Sequence, residues 1–91
     1  MRESKIERYL HQQVEARGGT TRKFKSPNRR NVPDRIVIWP GNVVHFVECK
    51  APNKDARPGQ QREHERLRFF GCVVCVLDTI DSVDNYVRHH A

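Results

Sequence analysis

The sequence predicts a mixed α/β domain on three observations. Apolar residues recur every fourth position at Ile6, Leu10 and Val14, the period of an amphipathic helix. Two runs rich in β-branched and aromatic residues, Asp34–Trp39 and Val43–Lys50, flank Pro40-Gly41-Asn42, and such a pair around a turn signal reads as a β-hairpin. A second helical segment then separates the hairpin from a last apolar run, Cys72–Leu77.

Each element follows from local chemistry. The first helix spans Ser4–Arg17 and stops at Gly18-Gly19, because glycine readily takes the left-handed conformation that closes a helix. Thr20–Phe24 is a first strand, and Lys25–Val32, with Pro27 and Asn28, is a loop. The hairpin follows, and Ala51–Arg57, holding Pro52 and Asn53, is again loop. Pro58 opens a second helix that runs to Phe70 and ends at Gly71, since proline suits a helix start and glycine its end. Cys72–Leu77 is the fourth strand and Asp81–His90 a short last helix. The order is α-β-β-β-α-β-α.

The hairpin carries the candidate chemistry. A three-residue loop pairs Trp39 with Val43, so Ile36 faces Phe46 and Asp34 faces Glu48. Opposed residues in a ladder have Cβ atoms roughly 4.5–5.5 Å apart, close enough for two carboxylates to share a cation. Alternation puts Lys50 on the face of Glu48 and turns Cys49 away. Oxygen ligands of this kind favour Mg²⁺ or Mn²⁺ over zinc. An ion there lowers the pKa of bound water and neutralises charge in an in-line displacement, and Lys50 would position the water or stabilise the transition state. Spacing alone leaves a second reading open, a cross-strand surface pair of Asp34 or Glu48 with Lys50.

Composition points to the substrate class. The 91 residues include 17 Lys and Arg against 11 Asp and Glu, a net charge of +6, with a pI near 9.7 and a mean hydropathy of −0.81. A balance this basic suggests a polyanionic partner, most simply nucleic acid. Between Arg22 and Arg30 lie five basic residues and no acid: Arg22, Lys23, Lys25, Arg29 and Arg30. Leading straight into Asp34, they would grip phosphates on either side of a cleavage point without reading sequence. One domain of this length buries about 60–65% of its unfolded surface. No apolar run exceeds the six residues Cys72–Leu77, too short to span a bilayer. Met1-Arg2-Glu3-Ser4-Lys5 has no apolar region behind it, so no secretory signal is expected. Three cysteines, an odd number, suit a reduced intracellular setting better than a disulfide scaffold. Cys72-Val73-Val74-Cys75 matches C-x-x-C, yet in a strand residues three apart face opposite sides, so core packing is expected. His64 and Trp39 are likewise expected to pack.

Together, Glu7, Val32-Pro33-Asp34, Glu48-Cys49-Lys50 and Gln60 resemble the pattern of the virus-type replication-repair nuclease (VRR-NUC) family within the PD-(D/E)xK superfamily. The resemblance runs from Glu7 to Val83. Asn31 stands where the family usually has glycine, a mild departure because asparagine also tolerates positive φ. Pro58-Gly59-Gln60, with Leu67 and Gly71, resembles the family's next helix.

The resemblance implies a restriction-endonuclease-like core, a mixed sheet flanked by helices, in a single domain over residues 1–91. It also implies metal-dependent hydrolysis of DNA phosphodiesters. Asp34 and Glu48 would be metal ligands, with the Cys49 backbone carbonyl, and Lys50 would sit at the nucleophilic water. Glu7 would complete the acidic cluster, with Glu3, one turn earlier, its rival. Gln60 would contact the site or the DNA. Small stand-alone members resemble viral homodimers acting on four-way (Holliday) junctions, and a viral member would work in the cytoplasm of a bacterial host. Phe69, Phe70, Tyr86 and Val87 are candidates for a dimer interface. Two other classes compete: a flap or restriction-type nuclease on the same fold, and a non-catalytic basic DNA-binding module.

Overall fold

In the computed structural model, which describes residues 1–90, the elements are α1 (Glu3–Ala16), β1 (Thr20–Lys23), β2 (Arg35–Trp39), β3 (Val43–Cys49), α2 (Pro58–Phe69), β4 (Val73–Leu77) and α3 (Ile80–His90). The four strands form one sheet in the order β1-β2-β3-β4. β1 and β2 pair antiparallel, as do β2 and β3, whereas β3 and β4 run parallel with α2 as the crossover. The sheet is therefore mixed, as expected. Trp39 pairs with Val43 and Ile36 with Phe46, the expected register. Gly41 and Asn42 both take positive φ, 86° and 66°, which lets three residues reverse the chain.

Alternation along β3 sorts the molecule into two sides. His45, Val47 and Cys49 are buried, and Val47 and Cys49 join the stripe of Ile6, Leu10 and Val14 on α1 and Val83, Tyr86 and Val87 on α3 in the main core. Phe46 and Glu48 point to the opposite face, where Gln60 of α2 reaches Glu48. The buried residues of α2 are polar, Gln60, Glu63 and His64. Its inner face serves the site more than the core.

α3 is capped at its start and buried along one face. Its start is closed reciprocally: the Ser82 N–H donates to Thr79 Oγ1 at 2.9 Å and the Thr79 N–H donates to Ser82 Oγ at 3.0 Å, satisfying amides left open at a helix start. Tyr86 and Val87 are only 5% and 1% exposed, and the Tyr86 hydroxyl accepts from the Trp39 indole N–H at 3.1 Å and lies 2.7 Å from His45 Nδ1. They are core residues and cannot line a dimer interface. Phe69 and Phe70 remain exposed, at 83% and 65%. Among the described residues no helix is long and apolar enough to cross a membrane.

Candidate active site

The candidate site forms where β2 begins and β3 ends. The β2–β3 ladder stops at the pair Arg35 and Val47, so Asp34 lies just outside it. Its backbone carbonyl accepts from the Phe24 N–H at 2.9 Å, and its carboxylate accepts from the Cys49 N–H at 3.2 Å. The side chain thus turns across the end of β3 toward Glu48. Lys50 follows the strand and puts Nζ 3.8 Å from Glu48 Oε2. Its own N–H donates to the Leu77 carbonyl at 3.0 Å, which fixes the backbone beneath it.

From α2, Gln60 divides its amide between two duties. Its Oε1 accepts the Arg57 N–H at 3.0 Å, closing the helix start, and its Nε2 donates to Glu48 Oε2 at 3.4 Å. Because the capping bond settles which end of the amide faces the helix, the donor end faces Glu48. His64, one turn on, is 2% exposed. Burial lowers its pKa, helped by the Arg68 charge, so it sits neutral and packed, as expected. Cys75 packs against the core, where burial pushes its thiol up.

The third carboxylate comes from α1. One oxygen from each of Glu3, Asp34 and Glu48 falls within 4.8 Å of the others. Glu7, one turn on, instead places Oε1 3.5 Å from Arg35 Nε, although its charge still repels Asp34. Glu3 and Glu7 thus divide the acidic end of α1 between the site and Arg35.

Three carboxylates this close are costly without a counter-charge, and the pKa values of Asp34 and Glu48 are both raised. Asp34 is raised from 3.8 to about 6, first by burial and then by Glu7 and Glu3, against the Cys49 amide that favours its charged form. Glu48 is raised from 4.5 to about 7, first by burial, then by the Asp34 charge, with Lys50 opposing. Glu48 Oε1 is buried with no hydrogen-bond partner, an arrangement that normally calls for an unseen ligand. The donor set is all hard oxygen. A divalent cation of the magnesium or manganese type fits both the charge and the orphaned oxygen.

Beside the carboxylates lies a cleft lined by residues of the basic loop, Lys25, Arg29 and Arg30 among them, together with Asp34. Arg22 and Lys23 lie instead on edge strand β1, and the Arg22 guanidinium folds back onto Thr20 Oγ1 at 2.6 Å and the Thr21 carbonyl at 2.8 Å. Arg29 Nε donates to Glu63 Oε1 at 2.7 Å, pinning the loop to α2. That link joins residues 34 apart in sequence, and no local pattern announced it.

Comparison with known proteins bears on this geometry. A solved structure described as "VRR_NUC domain" superposes with a TM-score of 0.90 and 38% identity, covering 98% of this chain and 97% of its own. A protein of Acyrthosiphon pisum secondary endosymbiont phage 1 described as "Putative nuclease p44" is 49% identical over 81 residues, which are 89% of this chain and 87% of that protein. No protein-family model matches the chain.

Proposed function

This chain belongs to the VRR-NUC family of nucleases, and we propose that it is a Mg²⁺- or Mn²⁺-dependent endodeoxyribonuclease. Its proposed substrate is branched DNA, four-way junctions above all, cut by a homodimer. The observation that carries the chemistry is the convergence of three carboxylates, Lys50 and Gln60, with one of the carboxylates, Asp34, also lining a basic cleft.

Asp34 and Glu48, with the Cys49 carbonyl, would hold the cation, and Glu3 or Glu7 would complete the set from α1. When bound, such an ion lowers the pKa of coordinated water and neutralises charge on the phosphoryl oxygens. The chain's own residues do the rest. Lys50, held beside Glu48, orients the attacking water and stabilises the charge that grows on phosphorus-bound oxygen. Gln60 keeps Glu48 in one rotamer, so its free oxygen faces the site. Lys25 and Arg30 grip backbone phosphates from the cleft, Arg29 holds the loop in place, and Arg22 and Lys23 extend the basic surface along the sheet edge. Phosphate contacts position a substrate without reading bases, which suits recognition of DNA shape.

The dimer follows from the reaction. Resolving a four-way junction requires two symmetric cuts, and two-fold symmetry supplies two equivalent sites. Exposed Phe69 and Phe70 offer apolar surface for such an interface.

The test is cleavage of an end-labelled four-way junction beside a linear duplex of matching sequence, in Mg²⁺, Mn²⁺ and chelator, with the intact chain and Asp34→Asn. Paired, metal-dependent cuts confined to the junction and lost in the variant are expected. Cutting of both substrates would remove the preference for branches. Binding with no cutting in any metal would overturn the enzymatic reading in favour of a basic binding module.

A further inference from the structure

The basic loop has a second side, which faces α2. There Arg29, Arg30, Arg62, Glu63 and Arg66 line a groove separate from the cleft at Asp34. Arg62 and Arg66 are exposed on α2, four residues apart and therefore on one face, about 6 Å along the helix axis. The Arg66 guanidinium stands 5.5 Å over the Phe70 ring, a cation–π contact that orients it. The groove's one acid, Glu63, is 7% exposed and already bonded to Arg29. Arg30, Arg62 and Arg66 have no ion-pair partner among the described residues.

The backbone is shaped to bring the two walls together. Asn31 takes a φ of 66°, and a Cβ on Gly59 would stand 2.8 Å from Asn31 Nδ2. Glycine at this point of α2 therefore admits the loop, while the Arg29–Glu63 pair holds it. Three guanidiniums are left facing one groove with their charge uncompensated, a poor arrangement for an isolated protein and a good one for a polyanion.

We propose that Arg30, Arg62 and Arg66 form a second phosphate-binding groove, which holds the DNA backbone away from the cleavage point. The inference rests on the nuclease reading of the Asp34 site and extends it. Arg29, Arg30 and Asn31 line both the cleft and the groove, so one strand passes over the loop from the first to the second. The axial separation of Arg62 and Arg66 spans roughly two nucleotides at a rise of about 3.4 Å per strand. The groove contributes affinity and register without base specificity, and lengthens the DNA arm that the protein grips.

The experiment is fluorescence anisotropy of a labelled four-way junction in chelator, where cleavage is off, over a range of salt concentrations. It compares the intact chain with Arg62→Gln, Arg66→Gln, the double variant, and Arg88→Gln, an exposed charge at the end of α3. Each lost phosphate contact lowers the slope of log K against log salt by about 0.9. The double variant is expected to lose about 1.8 of slope and at least roughly tenfold in affinity near physiological salt, while Arg88→Gln binds as the intact chain does. All three substituted side chains are exposed, so thermal melts should overlay and exclude misfolding. A double variant that behaves like Arg88→Gln, while the intact chain binds and cuts, would overturn the groove alone. An intact chain that neither binds nor cuts DNA would overturn the nuclease reading and the groove with it.

Discussion

Replacing Glu48 by glutamine should stabilise the metal-free protein at alkaline pH. In the fold this carboxyl titrates at about 7 instead of 4.5, because burial and the Asp34 charge disfavour its ionised form. A pKa unit corresponds to about 1.36 kcal/mol, so keeping Glu48 charged in the fold costs about 3 kcal/mol. The side chain is only 6% exposed, so solvent screening takes little from that figure. The sign follows from linkage: a carboxyl raised in the fold contributes stability below its unfolded value that is lost as pH rises through the folded value. The native protein in chelator should therefore weaken between pH 4.5 and about 7. Glutamine fills the same space, still accepts from Gln60 Nε2, and cannot ionise; it also relieves Asp34. The opposing Lys50 charge is already contained in that shift, so the expected gain stays at about 3 kcal/mol at pH 8. Urea titrations at a series of pH values, followed by the fluorescence of the single, buried Trp39, would measure it. The difference between variant and native should be near zero at pH 4 and widen to a plateau above about pH 7. A difference independent of pH, or a variant less stable at pH 8, would refute the argument.

Two further outcomes are expected. Glu3→Gln should weaken Mn²⁺ binding, read by calorimetry, by roughly tenfold, as loss of one of three carboxylate ligands implies, while Glu7→Gln should leave Mn²⁺ affinity nearly intact and cost about 1 kcal/mol of stability through Arg35. The reverse pattern would return the ligand role to Glu7. Gly19→Ala should destabilise by about 1–3 kcal/mol in chemical denaturation, since its Cβ would stand 2.7 Å from the Trp39 ring, 2.8 Å from Val14 and 2.9 Å from the Ile38 carbonyl. Unaltered stability there would mean that α1 shifts freely on the sheet.

The hairpin was legible in the sequence because its period is two and its loop is short. A register slip of one residue would have exposed Val37 and Val47 and buried their neighbours, so pattern and turn chemistry together favour the pairing seen, although a bulge in the ladder was still open from sequence. The α1 stripe was legible for the same kind of reason. What spacing left open was which acid of α1 meets Asp34. Glu3 and Glu7 are one turn apart on the same face, and the geometry turns on Arg35, which draws Glu7 aside. Tyr86 and Val87 were misplaced although, with Val83, they form an i, i+3, i+4 stripe that marks a buried face. The Arg29–Glu63 bond and the groove it frames had no sequence signal, because a contact between a loop and a helix 34 residues on depends on the closed fold.

The same pleat that builds the core also strains the site. Val47 and Cys49 point into the apolar interior, and the residue between them must face the other way. Glu48 is therefore carried into a buried position by its neighbours' packing, with one oxygen left unpartnered. The core supplies the free energy that holds this carboxylate where it would not choose to be charged. A cation that binds the folded site and not the unfolded chain stabilises by RT ln(1 + [L]/Kd), and the proposed ion would also remove the repulsion among Glu3, Asp34 and Glu48. On the proposed metal site, affinity for the ion and fold stability would be coupled through one strand. Any change at Val47 or Cys49 that loosens the end of β3 should weaken the ion's hold on Glu48, even though neither side chain faces the site.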